Sequence, residues 1–214
     1  MKLAILVYGR LKKGSDHYQN ILDNLVQHHE CDFFVSSDNA PDIDAFCALY
    51  QPLAYNNDSI ADTYDLRQFA KFSGRRPETN IPNMTCHFIN KERVFALLED
   101  HLQTTPGARY DGVVALRVDI LFETPVPFDL LTQGNHNTTN VFIPAGCDYA
   151  GGLNDQFAFG SVEAMRAYMG MYSSTQYLLQ NRKSIPHPES LTLANAHHHG
   201  LDVQRFPLQY KILR

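Results

Sequence analysis

The sequence predicts an α/β fold: one domain over residues 1–214, with a central mixed, mostly parallel sheet flanked by helices. Three observations predict it. "MKLAILVY" opens the chain with a continuous apolar run, as a parallel strand covered on both faces requires. A stretch with helical apolar spacing and a second apolar run follow within the first 38 residues, the order of a βαβ unit. At 110–122, "YDGVVALRVDILF" is again almost continuously apolar.

The elements read in order as follows. Strand one covers Lys2 to Tyr8 and stops at Gly9. Residues 15–29 form a helix with Ser15 as its cap, because Tyr18, Ile21, Leu22, Leu25 and Val26 fall on one face. "CDFFVSSD" (31–38) is strand two, 41–50 a short helix opened by Pro41, and "PLAYN" a third short strand. Residues 70–83 hold Gly, two Pro and two Arg, and read as a long loop able to act as a lid. Residues 84–103 are helical, with Phe88, Val94, Phe95, Leu97 and Leu98 apolar. The strand at 112–122 follows, then a polar connector (133–140), a strand (141–145) and a Gly-rich polar segment (146–156). "FAFGS" leads into a helix over 162–179, and a last helix over 189–199 ends at Gly200. The chain closes in extended form, which leaves room for further domains of a longer protein.

Composition narrows the function. With 44% hydrophobic and 19% charged residues, the 214-residue chain can bury a sizeable core. A net charge of -5 argues against a nucleic-acid partner, since phosphate backbones want a basic face. No stretch approaches the roughly 20 apolar residues of a membrane span. Cys31, Cys47, Cys86 and Cys147 are widely spaced and form no CxxC pair. A thiolate zinc site and a disulfide scaffold are therefore not expected, and a reducing cytoplasmic setting is.

Four constellations could carry chemistry. Arg117 and Asp119 sit in a core strand and share its parity, so both face one side. Burying charge is costly unless it is paired or bound. They are either a structural ion pair at a strand end or a ligand-facing pair, Asp119 holding a divalent ion and Arg117 gripping phosphate. "GGLNDQFAFGS" (151–161) sets Asn154, Asp155 and Gln156 before an apolar strand, as a capping turn or as a site. Glu189 in "HPES" either complements a helix dipole or acts chemically. His197, His198 and His199 face three directions, so at most one is a ligand and a surface role is expected.

Taken together, the βαβ start, "YDGVVALRVDILF", "GGLNDQFAFGS" and "HPE" before a final helix resemble the nucleotide-sugar glycosyltransferases of the GT-A fold. The resemblance is to small glycosyltransferase domains of bacterial polysaccharide pathways and of large algal (chlorella) viruses, where they build capsid glycans. It spans most of the chain, and for a viral chain it implies the host cytoplasm. It implies transfer of a sugar, from a UDP-sugar above all, to an oligosaccharide acceptor.

It also implies roles. The GT-A DxD motif, which holds Mn²⁺ or Mg²⁺ on the donor diphosphate, falls on "RVD": Asp119 is the second acid and the metal ligand, and Arg117 replaces the first. Glu123, Asp148 and a histidine among 197–199 are the helpers it suggests. Val7, Tyr8, Gly9 and Arg10 would meet the nucleotide, with Ser37 and Asp38 behind them. Asp155 and Gln156 match the Asp-Gln pair of retaining galactosyltransferase-like members, which favours retention. Glu189 matches the acid that faces the acceptor hydroxyl. Arg75 or Arg76, on the 70–83 loop, would close on the phosphates. Two other functions compete. A sugar nucleotidyltransferase would need a richer glycine loop than "YGRLKKGS"; a non-catalytic nucleotide- or sugar-binding scaffold would explain the missing first acid.

Overall fold

The structure is a computed structural model that describes residues 1–11, 14–27, 29–133 and 137–213, with 14 and 15 by their backbone alone. Ser15 as a cap, and part of the 133–140 connector, fall outside what is described. The strands are β1 (Lys2–Tyr8), β2 (Glu30–Ser36), β3 (Ala54–Asn56), β4 (Gly112–Arg117), β5 (Ile120–Phe122), β6 (Asn140–Pro144), β7 (Phe157–Gly160), β8 (Asp202–Phe206) and β9 (Tyr210–Ile212). Seven of them form one sheet in the order β3-β2-β1-β4-β7-β6-β8, and β5 and β9 form a two-stranded ribbon. β3, β2, β1 and β4 run parallel, as do β6 and β8; β7 alone among these strands runs antiparallel to both its neighbours.

Period-two alternation divides the core in two. Leu3, Ile5 and Val7 point to one face, with Val114, Leu116, Phe157 and Phe159. Ala4, Leu6 and Tyr8 point to the other, with Val113, Ala115 and Ala158. The first face is covered by α1 (Tyr18–Ile21), its continuation as a π turn (Leu22–Val26), and α2 (Ile43–Tyr50). The second is covered by α3 (Ile81–Thr104), α4 (Val162–Met169) and, through Ala196, α6 (Pro188–His198). The helix between the last two, α5 (Met171–Gln180), joins a third cluster with Phe69, Met84, Phe88 and Leu191.

Four elements differ from expectation, each for a physical reason. The strand expected over 112–122 breaks after Arg117, because Val118 and Asp119 turn and β5 leaves the sheet to pair with β9. The segment expected as one helix over 15–29 is a series of short turns; Asn20 bonds both the N–H and the C=O of Phe122, so it spends its side chain on β5. The helix expected over 162–179 breaks at Gly170, whose ψ of 41° is not helical. The expected loop over 70–83 is partly structured: 3₁₀ turns cover Ala70–Arg75, and α3 already begins at Ile81. Asn80 caps α3 by accepting from the Asn83 N–H at 3.1 Å, and Pro82 occupies its first turn.

Candidate active site

The carboxyl ends of β1 and β4 open into a cavity of 510 Å³, closed on the other side by the first turns of α3 and of α6. In an open α/β sheet this is where ligands bind. Tyr8 and Arg117 are paired in register at the ends of these strands and point to the face that α3 covers. Past the end of β1, Gly9 adopts φ +103°, a conformation that suits glycine, and carries the chain into Arg10.

Arg117 and Asp119 meet across the Val118–Asp119 turn. The guanidinium donates from Nε to Oδ1 at 3.1 Å and from Nη2 to Oδ2 at 2.6 Å, a bidentate pair. Burial works against the Arg117 charge, but Asp119 and Asp155 outweigh it and its pKa moves up. Both side chains line the cavity and are about one quarter exposed (28% and 26%), so this ion pair is not sealed in the core.

Asp155 lies on the wall between Arg117 and α3, 4% exposed. Its backbone carbonyl accepts from the Tyr8 hydroxyl at 3.0 Å. Burial pushes its pKa up, yet His87, Lys91 and Arg117 together override burial and bring it down to about 2. Asp155 is therefore ionised. His87 Nε2 stands 3.1 Å from Asp155 Oδ2, without hydrogen-bond alignment. Burial lowers the His87 pKa more than Asp155 raises it. Lys91, fully buried one turn further along α3, sits 4.1 Å from the Tyr168 ring centroid and 5.6 Å from that of Tyr8. Burial lowers it to about 8, against the pull of Asp155.

Glu189, 8% exposed, faces the same cavity from the start of α6. Burial and the nearby Asp155 charge raise it to about 7. His187 Nδ1 is 2.8 Å from its Oε2, again without hydrogen-bond alignment. The Glu189 backbone is fixed closely: its carbonyl accepts from the Leu153 N–H at 2.9 Å, and a Cβ added at Gly152 would lie 2.0 Å from its carbonyl carbon. His87 Nε2, Lys91 Nζ, His187 Nδ1 and Glu189 Oε2 are thus all buried without an aligned protein partner. Unmatched buried polar atoms are few in native interiors, and strain, chemistry, a bound ion or a bound water accounts for them.

The expected residues divide accordingly. Tyr8, Gly9, Arg10, Asp38, Arg117, Asp119, Asp155 and Glu189 come together around the cavity. Five do not line it. Val7 has the opposite strand parity from Tyr8 and is buried in the other core layer. Ser37 donates to the Gly9 carbonyl at 2.9 Å, bracing the β1 turn. Gln156 alternates away from Asp155 and accepts from the Tyr210 hydroxyl at 2.9 Å. Arg75 donates to the Leu179 carbonyl at 3.0 Å and lines a second cavity, while Arg76 pairs with Glu78 at 2.6 Å.

The residues do not fit a divalent ion. Asp119 is held by Arg117, and among the described residues no group of three or more His, Cys, Asp or Glu could hold a metal. Glu123 pairs with Lys211, Asp148 with Arg205 at 2.9 Å, and His199 contacts Ser174 at 3.2 Å, so these expected helpers are engaged elsewhere.

Sequence reasoning missed His87, Lys91 and His187. Lys91 had a signal: it interrupts the apolar stripe Met84–Phe88–Phe95–Leu98 of α3. His87 lies one turn before it, and His187 stands two residues before the Glu189 that was singled out.

The mixed sheet, its single reversed strand among these seven and the helices on both faces make this a GT-A glycosyltransferase fold. A crystal structure of the galactosyltransferase LgtC in complex with donor and acceptor sugar analogues superimposes on it with a TM-score of 0.52. The match covers 96% of this chain and 73% of that one at 11% sequence identity, a likeness of fold. No family model matches the chain, and no curated protein does.

Proposed function

We propose that the chain transfers a sugar from a nucleoside-diphosphate donor, a UDP-sugar first, to a glycan acceptor. The observation that carries this is one cavity, at the sheet's carboxyl edge, shared by a guanidinium, an ionised aspartate and a glutamate raised to about 7. Glycosyl transfer needs those three things: positive charge for the leaving diphosphate, negative charge beside an oxocarbenium-like carbon, and a base near pH 7. Arg117 and Arg10 meet the diphosphate; the bidentate pair with Asp119 uses Nε and Nη2 and leaves Nη1 outside it. Asp155 faces the sugar. Glu189 takes the acceptor hydroxyl proton as the acceptor oxygen bonds to the anomeric carbon and the carbon–phosphate oxygen bond breaks. Retention leans on Gln156 beneath the sugar, but that amide is held by Tyr210, outside the cavity wall. The placement of Glu189 favours a single displacement with inversion.

The test is isothermal titration with UDP in EDTA and in Mn²⁺, on the parent, Arg117→Gln and Asp119→Ala. We expect binding in EDTA that survives Asp119→Ala and weakens at least tenfold in Arg117→Gln. Binding that needs Mn²⁺ and collapses in Asp119→Ala would restore the metal role. Absence of binding to UDP, GDP and TDP alike would move the chain to a scaffold.

A further inference from the structure

Behind the first turn of α6, on the other side from Glu189, lies a second cavity of 510 Å³. Its charged and titratable lining residues are Arg75, Arg182, Lys183 and His197, and no Asp or Glu lines it. This in a chain of net charge -5 is a local inversion of sign. Two of the cations are oriented by neighbours, while Arg182 is exposed at the cavity's edge. Arg75 donates from Nη1 to the Leu179 carbonyl at 3.0 Å and lies 5.5 Å from the Phe72 ring centroid. Lys183 donates to the Tyr177 hydroxyl at 2.9 Å, which uses one of its three protons. Backbone strain gathers here too: Arg182 and Ala150, both on the lining, hold φ of 52° and 51°, which side chains other than glycine avoid. Ser190 on the same lining donates to the Ala150 carbonyl at 2.8 Å and directly follows Glu189 in the chain. The two cavities are therefore separated by one turn of backbone.

We propose that this second cavity binds an anionic group, a carboxylate or phosphate, carried by the acceptor glycan, so that the acceptor is an acidic saccharide. The proposal rests on the sugar-transfer reading for its word "acceptor": Ser190 on this lining directly follows Glu189 on the other, so a saccharide held here by its anion and reaching round residues 187–190 joins the two cavities. Paired guanidinium and ammonium groups recognise such anions through charge-assisted hydrogen bonds.

The test titrates glucuronate, inorganic phosphate and neutral glucose into the ¹⁵N-labelled full chain and follows amide shifts. Glucuronate should give saturable shifts at residues 182–184 and 197, phosphate weaker ones at the same amides, and glucose none. The double variant Arg182→Gln/Lys183→Gln should weaken glucuronate at least tenfold while binding UDP like the parent; Lys183→Gln alone is the fallback if the double variant does not fold. Shifts confined to the neighbourhood of Arg10 and Arg117 would overturn the proposal, as would no saturable shift. Phosphate binding without glucuronate binding would also overturn it, since the site would then serve free phosphate. If the parent fails to bind UDP but saturates with glucuronate at 182–197, the anion site is upheld and the transfer reading alone falls.

Discussion

Glu189 is the residue on which the proposed chemistry rests, because its surroundings change what a carboxyl does. Raised to about 7 by burial and by Asp155, it is suited to take a proton from an alcohol near neutral pH. Glu189→Gln should lower turnover of a UDP-sugar by about 10²- to 10⁴-fold with UDP affinity unchanged, measured by UDP release and titration. The parent's rate should fall below a limb near pH 7. The same shift affects stability. A carboxyl whose folded pKa lies above its unfolded 4.5 stabilises below pH 4.5 and loses that contribution as pH climbs through about 7. Glu189→Gln should therefore gain on the parent in urea midpoint as pH goes from 5 to 8. Lys91 shifts the other way, from 10.5 to about 8, so the unfolded chain binds a proton across that window that the folded chain has released. The parent's midpoint should rise relative to Lys91→Met between pH 8 and 10; parallel curves would refute the lowered pKa.

At the level of elements, the site depends on how segments end. The α3 N-terminus reaches the cavity because Asn80 caps it, and Asn80→Ala should cost about 1 kcal/mol in denaturant unfolding. The 151–154 turn and α6 touch backbone to backbone at Gly152; Gly152→Ala should cost about 3 kcal/mol or more and abolish activity together with stability. Much of this was legible beforehand. Continuous apolar runs disclosed β1, β2 and β4, and a charge pair inside the "RVD" run disclosed the cavity wall. What stayed hidden depended on long-range pairing. No local pattern says that β5 must leave the sheet for β9, or that Gln156 would be claimed by Tyr210. The side of a strand on which Asp155 and Gln156 part company is set by register, and register is set by partners distant in sequence.

For the whole molecule, two layers of core around one sheet carry the strand and helix residues of the cavity, with Arg10 and Glu78 exposed in the loops at its edge. No helix among the described residues is long and apolar enough to cross a membrane, and the four cysteines are free. The ribbon of β5 and β9 has a consequence in time. Ile120 pairs with Ile212, the Leu213 N–H reaches the Asp119 carbonyl at 2.9 Å, and Tyr210 holds Asn154 and Gln156. A nascent chain can build β1, β2 and β4 early, yet the turn bearing Asp119 is clamped only once residues 210–213 have left the ribosome. A chain cut short before residue 210 would keep the strands of the seven-stranded sheet and lose the ribbon that clamps the Asp119 turn.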